Sequence, residues 1–324
     1  MTALADWLAY ILWQSSLESG VFALVVWVLS GCLPRLPALT RVWLWRAVAL
    51  RFVLGPALVV VAGHRAQPAG SLSWLVVVLT SMTAVVGLTR LMFDARLMRQ
   101  RLTATTLCDV WDTVRSARNV GLPQGVQVRW TSAHESPYIA GWREPVLVLP
   151  RGASRELVTM AAAHEAAHLK HGDLAWNALA AAVESMFLFH PLAWVMRHEL
   201  SLAQETACDA AAMQATGVRP QQYCEMLVAF ALGRTPCWTE TALQGTAATL
   251  KRRIKHAYFA KGPGRQHSWA LVLAFGVAVM PVTRPADTTK LTLGNRSGGG
   301  RFNRVIQVSS PVQVAIPTSN RTTP

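Results

Sequence analysis

Three apolar stretches, at residues 7–29, 42–61 and 72–93, constrain this 324-residue chain more than any other feature. Each approaches the ~20 residues needed to cross ~30 Å of hydrocarbon as a helix. A helix is the expected form, because lipid offers no partner for backbone N–H and C=O groups. The third stretch is clean, whereas the first contains Gln14 and Glu18 and the second Arg46 and Arg51. On the plainer account Glu18 and Arg51 lie near a span end or snorkel to the interface. On the sharper account they make a polar contact inside a helical bundle.

Composition agrees with a membrane protein: 52% of residues are apolar, 15% are charged, and 13 are Trp, a residue favoured at headgroup level. The formal charge of +14 does not point to nucleic acid, because no basic run is interleaved with stacking aromatics. The basic residues instead flank the apolar stretches, as on the cytoplasmic side of a bilayer. Arg35 and Arg41 lie in the first loop, Arg65 alone is in the second, and Arg90, Arg96, Arg99 and Arg101 follow the third stretch. This pattern predicts an outward N-terminus and a cytoplasmic location for the chain beyond residue 93. The N-terminus has neither a basic n-region nor a small-residue cleavage site, so its stretch is expected to be retained as a span. Five cysteines without a CxxC pair suggest reduced thiols rather than a disulfide scaffold.

Residues 94–261 read as a cytosolic domain following the three-span region 1–93. A helix is expected at 109–120, ended by Gly121-Leu122-Pro123, and strands at 126–130 and 145–149 with a turn at Gly141, forming a small β-hairpin. The second of these strands is also a candidate for pairing with an extended substrate. From Ser154 to about Leu232 the pattern is helical and rich in Ala. Within it, the apolar stretch 175–196 contains Glu184, His190 and Pro191, which fits a buried helix pair better than a crossing. A basic run from Lys251 to Arg265 precedes a short apolar stretch within 262–283, expected to be a fourth span. The tail 284–324 is rich in Gly, Ser, Thr and Pro and is expected to be disordered and extracytoplasmic.

The chemistry lies in His164-Glu165-Ala166-Ala167-His168. Histidines at i and i+4 project from one face of a helix, where both can reach a single Zn²⁺. Glu165 points to the adjacent side and can take a proton from a metal-activated water. Zinc needs a third protein ligand, and Glu205 on a later helix is the best candidate. Asp209 shares the Glu205 face and can fix the tautomer of a ligating histidine. Cys208 is turned away from that face. His171, His190 and His198 are more simply satisfied polar residues, with His198 a weak candidate for oxyanion binding. His134-Glu135 lacks a second His at the required spacing.

The run H-E-A-A-H-L-K-H-G-D (164–173) followed by R-H-E-L-S-L-A-Q-E-T-A-C-D-A (197–210) resembles the Bla/Mec-type penicillin-sensing antirepressor metallopeptidases. S-P-Y-I-A-G-W-R-E-P-V-L-V-L-P (136–150) is similar to the strand-turn-strand preceding the zinc helix in that family. The likeness covers roughly residues 1–285. It implies a mainly α integral membrane protein of about four transmembrane helices, with a gluzincin-like zinc-peptidase domain facing the cytoplasm. It further implies His164, His168 and Glu205 as zinc ligands, Glu165 as general base and Asp209 as the residue orienting a ligand. The implied partners are the bilayer, a protein substrate such as a transcriptional repressor, and a second copy in a homodimer, with no direct nucleic acid binding. The stretch after residue 283 holds no Ser-x-x-Lys, so direct β-lactam sensing by it is not expected. Two other jobs fit the residues less well: quality-control proteolysis of the HtpX type, and a non-catalytic signalling scaffold.

Overall fold

The computed structural model describes residues 2–33, 36–61, 73–131, 137–141, 144–233, 247–259 and 276. Its first three helices are α1 (Thr2–Cys32), α2 (Ala38–Val61) and α3 (Ser73–Thr103). All three are long and apolar enough to cross a membrane. They differ in burial: 56% of the α2 window is enclosed by protein, against 33% for α1 and only 6% for α3. Leu75, Leu79, Met82, Val85, Val86 and Phe93 of α3 are exposed. An apolar surface of that extent is suited to lipid.

Small residues let the helices approach closely, as in other membrane bundles. A Cβ on Gly55 of α2 would lie 3.1 Å from the Ser15 side chain of α1. On α3, a Cβ on Gly87 would overlap Ser185. Between α1 and α2, Arg51 Nη2 donates to Glu18 Oε2 at 2.5 Å, and Ser19 Oγ donates to the Arg51 carbonyl at 3.2 Å. The two charged side chains are 2% and 9% exposed, so they form an ion pair inside the helical bundle. Snorkelling does not describe them.

After α3 comes a four-stranded sheet of β1 (Thr106–Leu107), β2 (Gln127–Thr131), β3 (Tyr138–Ala140) and β4 (Val146–Pro150), in the order β1-β2-β4-β3. The strands expected at 126–130 and 145–149 are β2 and β4, but they run parallel and do not form one hairpin. The hairpin is β3–β4, paired through Tyr138↔Val148 and Ala140↔Val146. Gly141 leaves β3 at φ +91°, where a Cβ would overlap the Glu144 carbonyl oxygen. Pairing β2 with β4 encloses β4 on both sides, so β4 has no edge for a substrate. That edge belongs to β3.

The helix expected at 109–120 is α4 (Trp111–Asn119). It is succeeded by α5 (Arg155–His171), α6 (Asp173–Met186), α7 (Pro191–Thr216), α8 (Pro220–Gly233) and α9 (Ala247–Phe259). Ser154 Oγ caps α5 by accepting from Leu157 N at 3.2 Å, and Gly172 ends it at φ +69°. The segment 175–196 is broken between α6 and α7, where His190 Nδ1 accepts from Leu192 N and caps α7 just before Pro191. At 14 residues α6 falls short of a crossing. Trp45 and Phe52 of α2 share one buried core with Val183 of α6 and with Met196, Leu200 and Ala203 of α7. That core ties α2 to the helices around the motif. The expected fourth span (262–283) and tail (284–324) lie outside the described residues, residue 276 aside.

Candidate metal centre

Ala161, Ala162, Ala163, Ala166 and Ala167 let α5 pack closely while keeping its helical period, and all are buried. His164 and His168 consequently project from one face, their ring centroids 4.9 Å apart and their planes at 77°. Helix α7 packs against α5 and delivers Glu205 between the two rings. Glu205 Oε2 is 3.5 Å from His164 Nε2, and Oε1 is 3.7 Å from His168 Nε2. A tetrahedral ion with ligand bonds of 2.0–2.1 Å holds its donors about 3.3 Å apart. The donors of His164, His168 and Glu205 all lie within 4.8 Å of one another. The set fits one small divalent cation with little adjustment.

Both imidazoles are oriented from behind. His164 Nδ1 lies 3.2 Å from Asp209 Oδ1 and 3.2 Å from the Tyr223 hydroxyl, which itself donates to Asp209 at 2.7 Å. His168 Nδ1 lies 2.7 Å from Asp173 Oδ2. A carboxylate at Nδ1 keeps the proton there and leaves the Nε2 lone pair for a metal. Asp209 is thus placed as its helical spacing suggests. Asp173 is a counterpart that the sequence reading missed, although it stands in the H-G-D run directly after the motif helix.

Two further residues were missed. Arg253 of α9 donates to Asp209 Oδ1 at 2.7 Å and Oδ2 at 2.9 Å, and lies 2.8 Å from Glu205 Oε2. Tyr223 of α8 bridges Asp209 and His164. Neither has a local signal, and Arg253 sits within a basic run that reads as a lipid-facing flank. Burial works against the Glu205 charge, but Arg253 and then His164 hold its pKa below the usual carboxylate range. The same two partners depress Asp209. Burial also opposes a charge on His164, yet hydrogen bonds to Asp209 and Glu205 carry its pKa up to about 10. The two carboxylates therefore favour a positive charge at His164.

Glu165 is 9% exposed and accepts a backbone hydrogen bond from Ile139 of β3. Burial raises its pKa. Cys208 packs behind His168, with Sγ 3.4 Å from Nδ1 and 3.6 Å from Asp173 Oδ2. His168, Asp173 and Cys208 form a second grouping of donor atoms. It is the poorer one, because Nδ1 is already engaged by Asp173. Burial, reinforced by the Asp173 charge, also pushes the Cys208 thiol up and keeps it protonated. His171 contributes its carbonyl, which accepts from Arg46, and its ring lies 3.8 Å from Cys208 Sγ. His198 stands two turns of α7, about 10 Å along the axis, before Glu205. His134-Glu135 lies outside the described residues.

Helices long and apolar enough to cross a membrane, beside an H-E-x-x-H helix faced by a glutamate, point to a class, that of membrane-associated metallopeptidases. A family model described as BlaR1 peptidase M56 matches residues 60–256, well over half of the chain, and the chain belongs to that family. Comparison with curated proteins gives no match.

Proposed function

We propose that this chain is a multi-pass membrane zinc endopeptidase of gluzincin type, with its peptidase domain on the cytoplasmic side of a bacterial-type cytoplasmic membrane. Its substrate is a cytosolic or membrane-associated regulatory protein, such as a transcriptional repressor. The observation carrying this reading is the meeting of two Nε2 atoms and a carboxylate at metal-ligand spacing, each imidazole backed by a carboxylate. His164, His168 and Glu205 would hold the Zn²⁺. When bound, zinc supplies Lewis-acid polarisation of the scissile carbonyl and makes water acidic enough to deprotonate near neutral pH.

The protein's own groups do the rest. Glu165 takes the proton from the attacking water and passes it to the departing amide nitrogen. Asp209, with Tyr223, and Asp173 keep the two imidazoles in one tautomer. Arg253 keeps Glu205 and Asp209 ionised. An extended substrate adds to the outer edge of β3, whose Ile139 also binds Glu165, so that its backbone runs past the base.

The test compares protein fragments in cells expressing the wild type or Glu165→Ala. Fragments of a discrete regulator found only with the wild type are the expected result. Regulator cleavage that persists in Glu165→Ala would overturn the mechanism. Accumulation of damaged membrane proteins alone would favour quality-control proteolysis.

A further inference from the structure

Arg46 and Arg51 both stand on α2, and their partners are of different kinds. Arg51 pairs with Glu18 of α1. Arg46, 1% exposed, donates through Nη2 to Asp173 Oδ1 at 2.6 Å and to the His171 carbonyl at 2.9 Å. It thereby straddles the α5–α6 turn at Gly172, satisfying one of the last carbonyls of α5 and the first side chain of α6. The guanidinium also lies over two indole rings, 4.7 Å from the Trp43 centroid and 5.0 Å from that of Trp176. The Asp173 carboxylate is divided between two duties: Oδ1 faces Arg46, while Oδ2 meets His168 Nδ1 at 2.7 Å.

We propose that Arg46 is a positioning residue of the peptidase site, coupling the second span to His168 through the shared carboxylate of Asp173. The proposal rests on the reading of His168 as a metal ligand. A charged side chain within a span is costly and usually has a specific partner. Here the partner is shared with a candidate ligand, and the guanidinium is clamped by two rings, one from α2 and one from α6. Displacement of α2 relative to α5 and α6 removes the Oδ1 anchor, and the imidazole held by Oδ2 loses its fixed orientation. A change in packing among the spans therefore reaches the metal through three side chains, without unfolding the domain.

The test uses the full chain in lipid nanodiscs, loaded with Zn²⁺ or Co²⁺. It compares the wild type with Arg46→Met, Arg46→Lys and the control Arg51→Met. The readouts are the rate of Zn²⁺ release to a chelator, the visible Co²⁺ spectrum and thermal unfolding. Arg46→Met is expected to release Zn²⁺ several-fold faster, less than the roughly tenfold to hundredfold for loss of a ligand's own outer partner, and to shift the Co²⁺ bands. Arg46→Lys keeps a point charge without the fork and falls between. Arg51→Met lowers the unfolding temperature while its release rate and spectrum stay those of the wild type.

Wild-type release and an unchanged spectrum in Arg46→Met, with only the unfolding temperature lowered, would show a plain structural anchor and overturn the proposal. If Arg46→Met does not fold, Arg46→Lys decides by the same two readouts. The underlying reading fails differently: the wild type would then bind no stoichiometric Zn²⁺, or His168→Ala would keep it.

Discussion

His164 and His168 are one helical turn apart, yet different parts of the molecule support them. Behind His164 stand Asp209, Tyr223 and Arg253, from α7, α8 and α9. Behind His168 stands Asp173 at the α5–α6 turn, and behind Asp173 stands Arg46 from the long apolar helix α2. One half of the site is braced within the helices that come after the motif. The other is braced against α2, one of the three helices apolar enough to cross a membrane. On the proposed coupling through Arg46, a shift of α2 adjusts the second half while the first keeps its shape.

The largest expected effect treats the halves alike. His164→Ala and His168→Ala each remove a donor from a three-residue set, and both should empty the site, as read by metal content after dialysis. Retention of zinc in only one of them would show that the halves do not share one ion.

The next effect separates them. Asp209→Ala and Asp173→Ala should each weaken metal binding about tenfold to a hundredfold, measured by chelator competition. Asp173→Ala also leaves the buried Arg46 without its carboxylate, a loss of about 3 kcal/mol by denaturant unfolding, whereas Arg253 keeps Glu205 in Asp209→Ala and that variant loses less. Adding Arg46→Met to Asp173→Ala should recover stability without recovering metal affinity. If affinity also recovers, Asp173 acts only as a counterion.

A smaller effect tests the membrane side from a distance. Gly87→Ala places a methyl group against Ser185, and overpacking of this kind costs about 1–3 kcal/mol. Because Ser185 lies on α6, zinc release should quicken in this variant, whereas an unchanged rate would confine the effect to helix packing. The smallest effect is that of Tyr223→Phe. It removes one hydrogen bond to Asp209, worth about 1 kcal/mol, and should leave the His168 half untouched.

The legible parts of this protein are those encoded by local period. Apolar length marked the three spans, and i, i+4 spacing put His164 with His168 and Glu205 with Asp209. The less legible parts depend on contacts distant in sequence. Asp173 lies only five residues from His168, but it acts across a Gly-terminated turn that helical spacing does not describe. Arg46, Tyr223 and Arg253 come from separate helices, and nothing local distinguishes Arg253 from Arg252, which pairs with Glu199 on the same α7. The sheet was misread because β3 has three residues, too few for alternation to show. Without it, β2 and β4 read as a hairpin.

The most direct measurement is the zinc X-ray absorption spectrum of the full chain, wild type and Cys208→Ser. Ligation by His164, His168 and Glu205 predicts nitrogen and oxygen neighbours at about 2.0–2.2 Å, imidazole scattering from two rings, and no change in Cys208→Ser. A sulfur neighbour at about 2.3 Å, lost in Cys208→Ser, would put the metal on the grouping of His168, Asp173 and Cys208 and contradict the account.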